Sequence, residues 1–286
     1  MFFFKFIILL AISFIIETLF AKTAFAWGPG VHTVTVLTTL NNAAQLLPSI
    51  AGIITSFPRE FLYGCLAADF FIGKGKMKKE RHPHNWEGGF NFLNEAGNDR
   101  EASFSYGFLS HLAADVVAHN FFVPSLITSY PTGRKMGHLY WELKADYLIG
   151  PYYTKIAGYV LSMEHQECDE LLNQITGKIK NGLKVKKRFF TRSVKFSDYC
   201  YSTHDFFFAG KVIRWQAFHD YLIFMVDLSC RLVRDILRHP GSSTCLSYDP
   251  MGRESLLVRN KGLLSRRFNS HRPIQKFTVN KELLKL

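Results

Sequence analysis

Arg100-Glu-Ala-Ser-Phe-Ser-Tyr-Gly-Phe-Leu-Ser-His111-Leu-Ala-Ala-Asp115-Val-Val-Ala-His119-Asn-Phe121 carries apolar residues at helical spacing along its whole length. Residues four apart in an α-helix stand about 40° from one another round the axis, so His111, Asp115 and His119 share one face. Leu109, Leu112, Ala113, Val116 and Val117 surround them. One buried histidine needs only one hydrogen-bond partner. Two imidazoles and a carboxylate on adjacent turns of an apolar helix need more, because an unpaired buried polar group is costly, and a metal ion satisfies all three at once.

Outward from this segment the pattern stays helical. Val34 to Leu47 reads as a helix ending near Pro48, and Arg59 to Phe71 as another, opened by Pro58 and closed around Gly73-Lys-Gly75. Trp86 to Ala96 and Gly137 to Leu148 flank the central stretch on either side, the latter after a Pro131-Thr-Gly133 turn. Two longer amphipathic segments follow, Glu167 to Leu183 and Lys211 to Arg238, the second stopped by Pro240-Gly241. Lys184-Val-Lys-Lys-Arg-Phe-Phe190-Thr-Arg192 mixes charge with aromatic residues and suits an anionic membrane or a nucleic-acid backbone, although a solvated loop is the plainer reading. No strand pattern of comparable strength and no internal repeat stand against these, so the expected fold is all-α, in a single multi-helix domain.

At the N-terminus, Lys5, the apolar run Phe6 to Phe20 and the small-x-small box Ala24-Phe-Ala26 form a secretory leader over residues 1–26. The apolar run contains Glu17 and falls short of the roughly 20 residues needed to span a bilayer, so cleavage after Ala26 and export are expected, to the periplasm or beyond. Removing Lys5, Lys22 and Glu17 leaves 33 basic and 22 acidic residues, a formal charge of +11, on 260 residues beginning at Trp27. That length suits one substantial core and a monomer; the charge favours anionic partners without choosing between lipid head groups and nucleic acid. Cys65, Cys168, Cys200, Cys230 and Cys245 form no CxxC pair, which argues against a thiolate zinc cluster, and Cys65 reads as a small buried hydrophobe. Residues 27–240 form the expected catalytic domain, and 241–286 a basic tail of low periodicity.

His138-x3-Glu142 repeats the four-residue step on a second helix. Nitrogen and oxygen donors without sulfur suit zinc, with manganese and iron left open by residue type alone. Asp115 has two oxygens and can bridge two ions, the arrangement that paired-metal phosphodiester hydrolysis uses. Of the other histidines, His165, His219, His239 and His271 read as packing, capping or surface residues, while His204-Asp205 before Phe206-Phe-Phe208 suits a cleft wall.

In order, Trp27, His32, Asp69, the histidines of Arg81-His82-Pro-His84-Asn-Trp86, His111-x3-Asp115-x3-His119 and His138-x3-Glu142 resemble the zinc-dependent phospholipase C family, which shares its fold and tri-zinc site with the S1/P1-type nucleases. The resemblance extends to about Arg238 and implies about three zinc ions. It implies one ion on the α-amine and carbonyl oxygen of Trp27 with His32 and Asp115; a second on Asp115, His111 and His84, with His82 as the alternative; and a third on His119, His138 and Glu142. Asp69 matches the catalytic aspartate that orients or deprotonates the attacking water. One detail departs from the family pattern at the third ion: His119 follows Asp115 by four residues where well-known relatives have six. Two details divide the branches: the Trp27 to His32 spacing of five resembles the nucleases, and Glu142 rather than aspartate resembles the phospholipases. The expected activity is release of diacylglycerol and a phosphorylated head group from phospholipid at a membrane surface; the alternatives are a single-strand nuclease or nucleotidase and, from another class, a non-catalytic metal-stabilised membrane-binding module.

Overall fold

The computed structural model of the chain describes residues 27–71, 83–129, 136–177, 180–203, 215–252 and 279–286. Among these, every regular element is a helix. In chain order they are α1 (Pro29–Asn41), α2 (Pro48–Ser56), α3 (Pro58–Ala67), α4 (Trp86–Asn94), α5 (Asp99–Val117), α6 (Val123–Ser129), α7 (Met136–Ile149), α8 (Pro151–Leu161), α9 (Gln166–Thr176), α10 (Lys180–Thr203), α11 (Trp215–Arg238) and the single turn α12 (Lys281–Leu284). The all-α expectation holds.

Proline opens four of these helices. Pro29, Pro48, Pro58 and Pro151 stand in the first turn of α1, α2, α3 and α8, where the missing N–H has no partner to lose and the fixed φ suits the helix. The helix expected over Val34 to Leu47 therefore starts earlier and ends at Asn41, while α2 and α8 occupy stretches the sequence reading left unassigned. Asn85 and Asn98 cap α4 and α5, accepting from Gly88 N–H at 2.7 Å and Glu101 N–H at 2.9 Å. Asp99 and Glu101 add negative charge to the first turn of α5, where the helix dipole favours it.

The segment expected as one helix from Glu167 to Leu183 is two, because Gly177 takes a left-handed φ of 57° and ends α9. The stretch Lys184 to Arg192, expected as a loop, is the first half of α10. Leu183, Phe190, Val194 and Tyr201 are its buried residues, spaced so that each falls on one narrow face while Lys184, Arg188, Arg192 and Lys195 point away.

The hub is α5, buried from Ser103 to Val117 apart from Tyr106. Helices α3, α4 and α11 pack directly on it, and α1 fits between α3, α8 and α11. The tightest crossing joins α3 to α5. A Cβ on Gly64 would stand 1.9 Å from the Phe104 carbonyl oxygen, and one on Gly107 would stand 2.0 Å from that of Phe61, so the two backbones touch where neither carries a side chain. Past Gly241 the described residues join the body: Cys245 and Leu283 are fully buried, and Trp86 Nε1–H donates to Tyr248 O at 2.8 Å. All five cysteines are free thiols.

Candidate metal centre

Asp115 sits in the last turn of α5, 1% exposed, with imidazoles around it. Its Oδ2 lies 3.0 Å from His84 Nε2, 3.1 Å from His111 Nε2 and 3.8 Å from His119 Nε2, and its Oδ1 lies 3.4 Å from His32 Nε2. Four rings from α1, the turn before α4, α5 and the turn after α5 thus converge on one carboxylate. The His32 and His111 rings stack at 4.0 Å, and His84 meets His111 edge-on at 5.0 Å. The sequence spacing of His111 and Asp115 put them on one face; the other two rings arrive by tertiary packing.

His119 reaches the group through a local change of helix. After Val117 the chain winds as a π-turn over Ala118–Phe122, and the Val123 N–H bonds Ala118 O, five residues back. Pro124 supplies a reason: it has no N–H to give the carbonyl of residue 120, and its ring would crowd that carbonyl in a regular helix. Asn120 Nδ2 stitches the turn to Val116 O and Asp249 O at 2.9 and 3.0 Å. Gly252 lies against the His119 main chain, where a Cβ would come within 2.6 Å of the His119 carbonyl oxygen.

Asp69 stands in the 3-10 turn Ala68–Phe71 that ends α3, its Oδ1 3.6 Å from His111 Nε2. Glu142 is buried on α7. His138 belongs to the same helix, but its side chain lies outside the described residues, as do His82, His204 and Asp205. Trp27 is fully buried; its indole N–H donates to Ala114 O and Ser229 Oγ, each at 3.1 Å, and the ring packs on Phe122. The main chain just after it begins α1, with His32 N–H bonding Gly28 O at 3.1 Å. In the uncut chain the Trp27 nitrogen is a peptide amide, and only cleavage after Ala26 makes it an amine.

Two residues in this region escaped the sequence reading. Asp146, buried one helical turn beyond Glu142, accepts Gly30 N–H and Val31 N–H at 2.9 Å each and so anchors the first turn of α1 and with it His32. Gly28 and Gly30 make room for it, since a Cβ on either would fall within 3 Å of its carboxylate. The signal was present, because Asp146 extends the step His138, Glu142 by a further four. Cys65, read as a plain hydrophobe, is buried as expected but has its Sγ 3.8 Å from His32 Nδ1. His165 is a packing residue as read: it stacks flat on Tyr63 at 3.7 Å, with Nε2 2.9 Å from Val160 O.

Electrostatics separates the donors into two groups. Burial alone would raise the Asp115 pKa, but the facing imidazoles of His111, His32 and His84 outweigh it and hold the carboxyl well below its usual range. Burial and the neighbouring His32 ring push His111 down to about 3, so its imidazole is neutral. Asp69 and Glu142 go the other way: burial raises both well above normal, and repulsion from Asp115 adds to it. Burial lifts Asp146 to about 7 against the opposing effect of its two backbone bonds. Four carboxyls are thus crowded into a buried region whose imidazole His111 carries no charge.

The residues fit a metal. Donor atoms of His84, His111 and Asp115 all lie within 4.8 Å of one another, as do those of His32, Cys65 and His111. His111 Nδ1 and Asp69 Oδ2 are buried without a hydrogen-bond partner among the described residues. Neutral imidazoles with carboxylates relieved by a divalent cation are the donor set such ions take. A family profile described as zinc dependent phospholipase C matches residues 31–205. Neither the curated proteins nor the solved structures compared with the chain gave a match.

Proposed function

From the chain's membership of the zinc-dependent phospholipase C family, all-α hydrolases of phosphodiesters, we propose that this protein is exported and cleaves phospholipid at a membrane surface to diacylglycerol and a phosphorylated head group. The observation that carries this reading is the single carboxylate of Asp115 facing His32, His84, His111 and His119. Zinc bound there supplies Lewis acidity toward phosphate oxygens and lowers the pKa of water.

In this reading His84, His111 and Asp115 would hold one ion, His32, Asp115 and the freed amine and carbonyl of Trp27 a second, and His119, His138 and Glu142 a third. Asp69, beside His111 but outside the Asp115 hub, takes the proton of the attacking water. Asp146 and the Trp27 indole are positioning groups: one fixes the first turn of α1, the other fixes the residue whose amine is to bind.

Cleavage after Ala26 is the step that creates the amine ligand, so N-terminal sequencing of the exported protein should begin at Trp27, and metal analysis should find about three zinc ions per chain. The zinc-loaded mature protein should release phosphocholine from phosphatidylcholine vesicles. Asp69→Asn should keep the zinc and lose turnover by about 10²-fold or more; full activity in that variant would remove Asp69 from the chemistry. A nuclease reading is favoured by one observation, the five-residue spacing of Trp27 and His32. Hydrolysis of single-stranded DNA with phosphatidylcholine left intact would select it.

A further inference from the structure

Helix α10 presents two different faces. Leu183, Phe190, Val194 and Tyr201 are buried, and Phe190 packs edge-on to Phe70, the residue after Asp69, at 5.5 Å. Near its other end Tyr201 packs on Tyr147 at 5.9 Å, next to Asp146 on α7. The helix therefore runs along the flank of the metal centre, touching the elements that carry Asp69 and Asp146.

The opposite face is exposed and of mixed chemistry. Val185, Phe189, Phe196 and Tyr199 are 69, 43, 37 and 60% exposed, with exposed Lys184, Arg188, Arg192 and Lys195 among them. At 100° per residue all eight fall within about 140° of arc, cations on one side and apolar side chains on the other, with Tyr199 and Arg192 at the boundary. Helix α8 extends the patch. Its Lys155 and Tyr159 line a surface groove with Lys195 and Asp198 of α10, and Tyr152 and Tyr159 are 68 and 67% exposed.

A solvated helix face does not need this many exposed rings, and a protein partner would not require cations segregated from them. An anionic bilayer requires both: basic groups at the phosphate layer, aromatic and aliphatic groups just below it, and a helix lying flat. Among the described residues no helix is long and apolar enough to cross a membrane. We infer that the exposed face of α10, with Lys155 and Tyr159 of α8, is the surface by which the protein docks on anionic phospholipid bilayers. This goes beyond the hydrolytic reading and rests on it only in taking the bilayer as the place where the substrate lies.

The test uses the zinc-loaded mature full chain, in brief sedimentation in the cold to limit lipid turnover, with vesicles of phosphatidylglycerol and phosphatidylcholine in equal parts or of phosphatidylcholine alone. The wild type should bind the mixed vesicles, more weakly as salt rises, and the neutral ones far less. Phe189→Ser with Phe196→Ser, and separately Arg188→Glu with Arg192→Glu, should each weaken binding at least tenfold with circular dichroism unchanged. Lys281→Glu with Lys285→Glu, the same change of charge at the exposed C-terminal turn, should alter it less than threefold. Failure to bind anionic vesicles, wild-type binding by either α10 variant, or an equal loss in the C-terminal control overturns the inference. So does selective loss of single-stranded DNA binding in the α10 variants with vesicle binding intact. Zinc-loaded protein assayed on a soluble short-chain phosphatidylcholine keeps the two readings apart. Turnover there should match wild type in both α10 variants, and a wild type that docks but hydrolyses nothing sinks the proposed function alone.

Discussion

Gly64→Ala tests the crossing on which the geometry of the centre depends. The added Cβ would sit 1.9 Å from the Phe104 carbonyl oxygen and 2.7 Å from its carbon. Since such a contact is not tolerated below about 3 Å, α3 and α5 must separate by roughly 1 Å, and neither atom belongs to a flexible side chain that could turn aside. Alanine gains about 1 kcal/mol in helix propensity over glycine. Overpacking, and the loosened contacts of Phe61, Cys65 and Phe108, should cost about 4 kcal/mol, for a net loss of about 3 kcal/mol, or roughly 6–12 °C in Tm for a chain of this size. The same movement carries Asp69, on the turn ending α3, away from His111 on α5, now 3.6 Å off. A displacement of that size should lower turnover by about 10²-fold in the protein that still folds. Gly52→Ala on α2, where a Cβ meets nothing within 4 Å, is the control and should gain about 0.5–1 kcal/mol. Urea unfolding of both variants decides the matter, and a Gly64→Ala protein as stable as Gly52→Ala would refute the backbone contact between α3 and α5.

Acid should act in opposite directions on the metal-free and zinc-loaded proteins. Asp69, Glu142 and Asp146 have folded pKa values above their unfolded ones, so between about pH 4 and 7 the native state holds more protons than the unfolded chain and stability falls as pH rises; His111, depressed to about 3, opposes this with a single proton. Metal-free protein should therefore melt higher at pH 5.5 than at 7.5, whereas zinc-loaded protein, whose ligands must be deprotonated, should melt lower; scanning calorimetry with and without zinc should show the two profiles converge toward acid pH. Trp27→Phe removes both indole hydrogen bonds, costing about 1–2 kcal/mol, and should lower bound zinc by about one ion, while Ser229→Ala costs about 1 kcal/mol at most and leaves zinc unchanged in elemental analysis. Tyr63→Phe deletes the bond to Asp169, which keeps Lys187 at 2.7 Å; it should cost about 1 kcal/mol in thermal unfolding without altering zinc content, and loss of zinc would tie that cluster to the centre.

Residues whose partners lie within a turn or two were legible, and those whose partners come from elsewhere in the fold were less so. His111, Asp115 and His119 stood out because three polar donors among apolar neighbours need partners, and the fold does bring them together. The register of His119 hid a π-turn, since only Pro124, two residues past that turn, betrays that the helix cannot continue regularly. Charge concealed α10: four buried residues in one file suffice to seat a helix, and Lys184 to Arg192 outnumber them locally. Gly64 and Gly107 could not be read as a crossing, because a glycine looks the same whether it meets solvent, as Gly52 does, or another backbone.

Asp146 shows how far the same spacing logic carries when it is followed through. His138, Glu142 and Asp146 form one four-residue ladder, but the last rung points its carboxylate at Gly30 and Val31 N–H, groups that no side-chain pattern in α7 advertises. Those two N–H groups lie in the first turn of α1, where a helix has no internal acceptors for them, so a buried helix start demands an acceptor from elsewhere in the fold. Pro29 at the first turn, Gly28 and Gly30 beside it, and a spare aspartate on a neighbouring helix meet that demand together. The chain that must place His32 against Asp115 is thereby held by a second carboxylate that need not touch the metal at all.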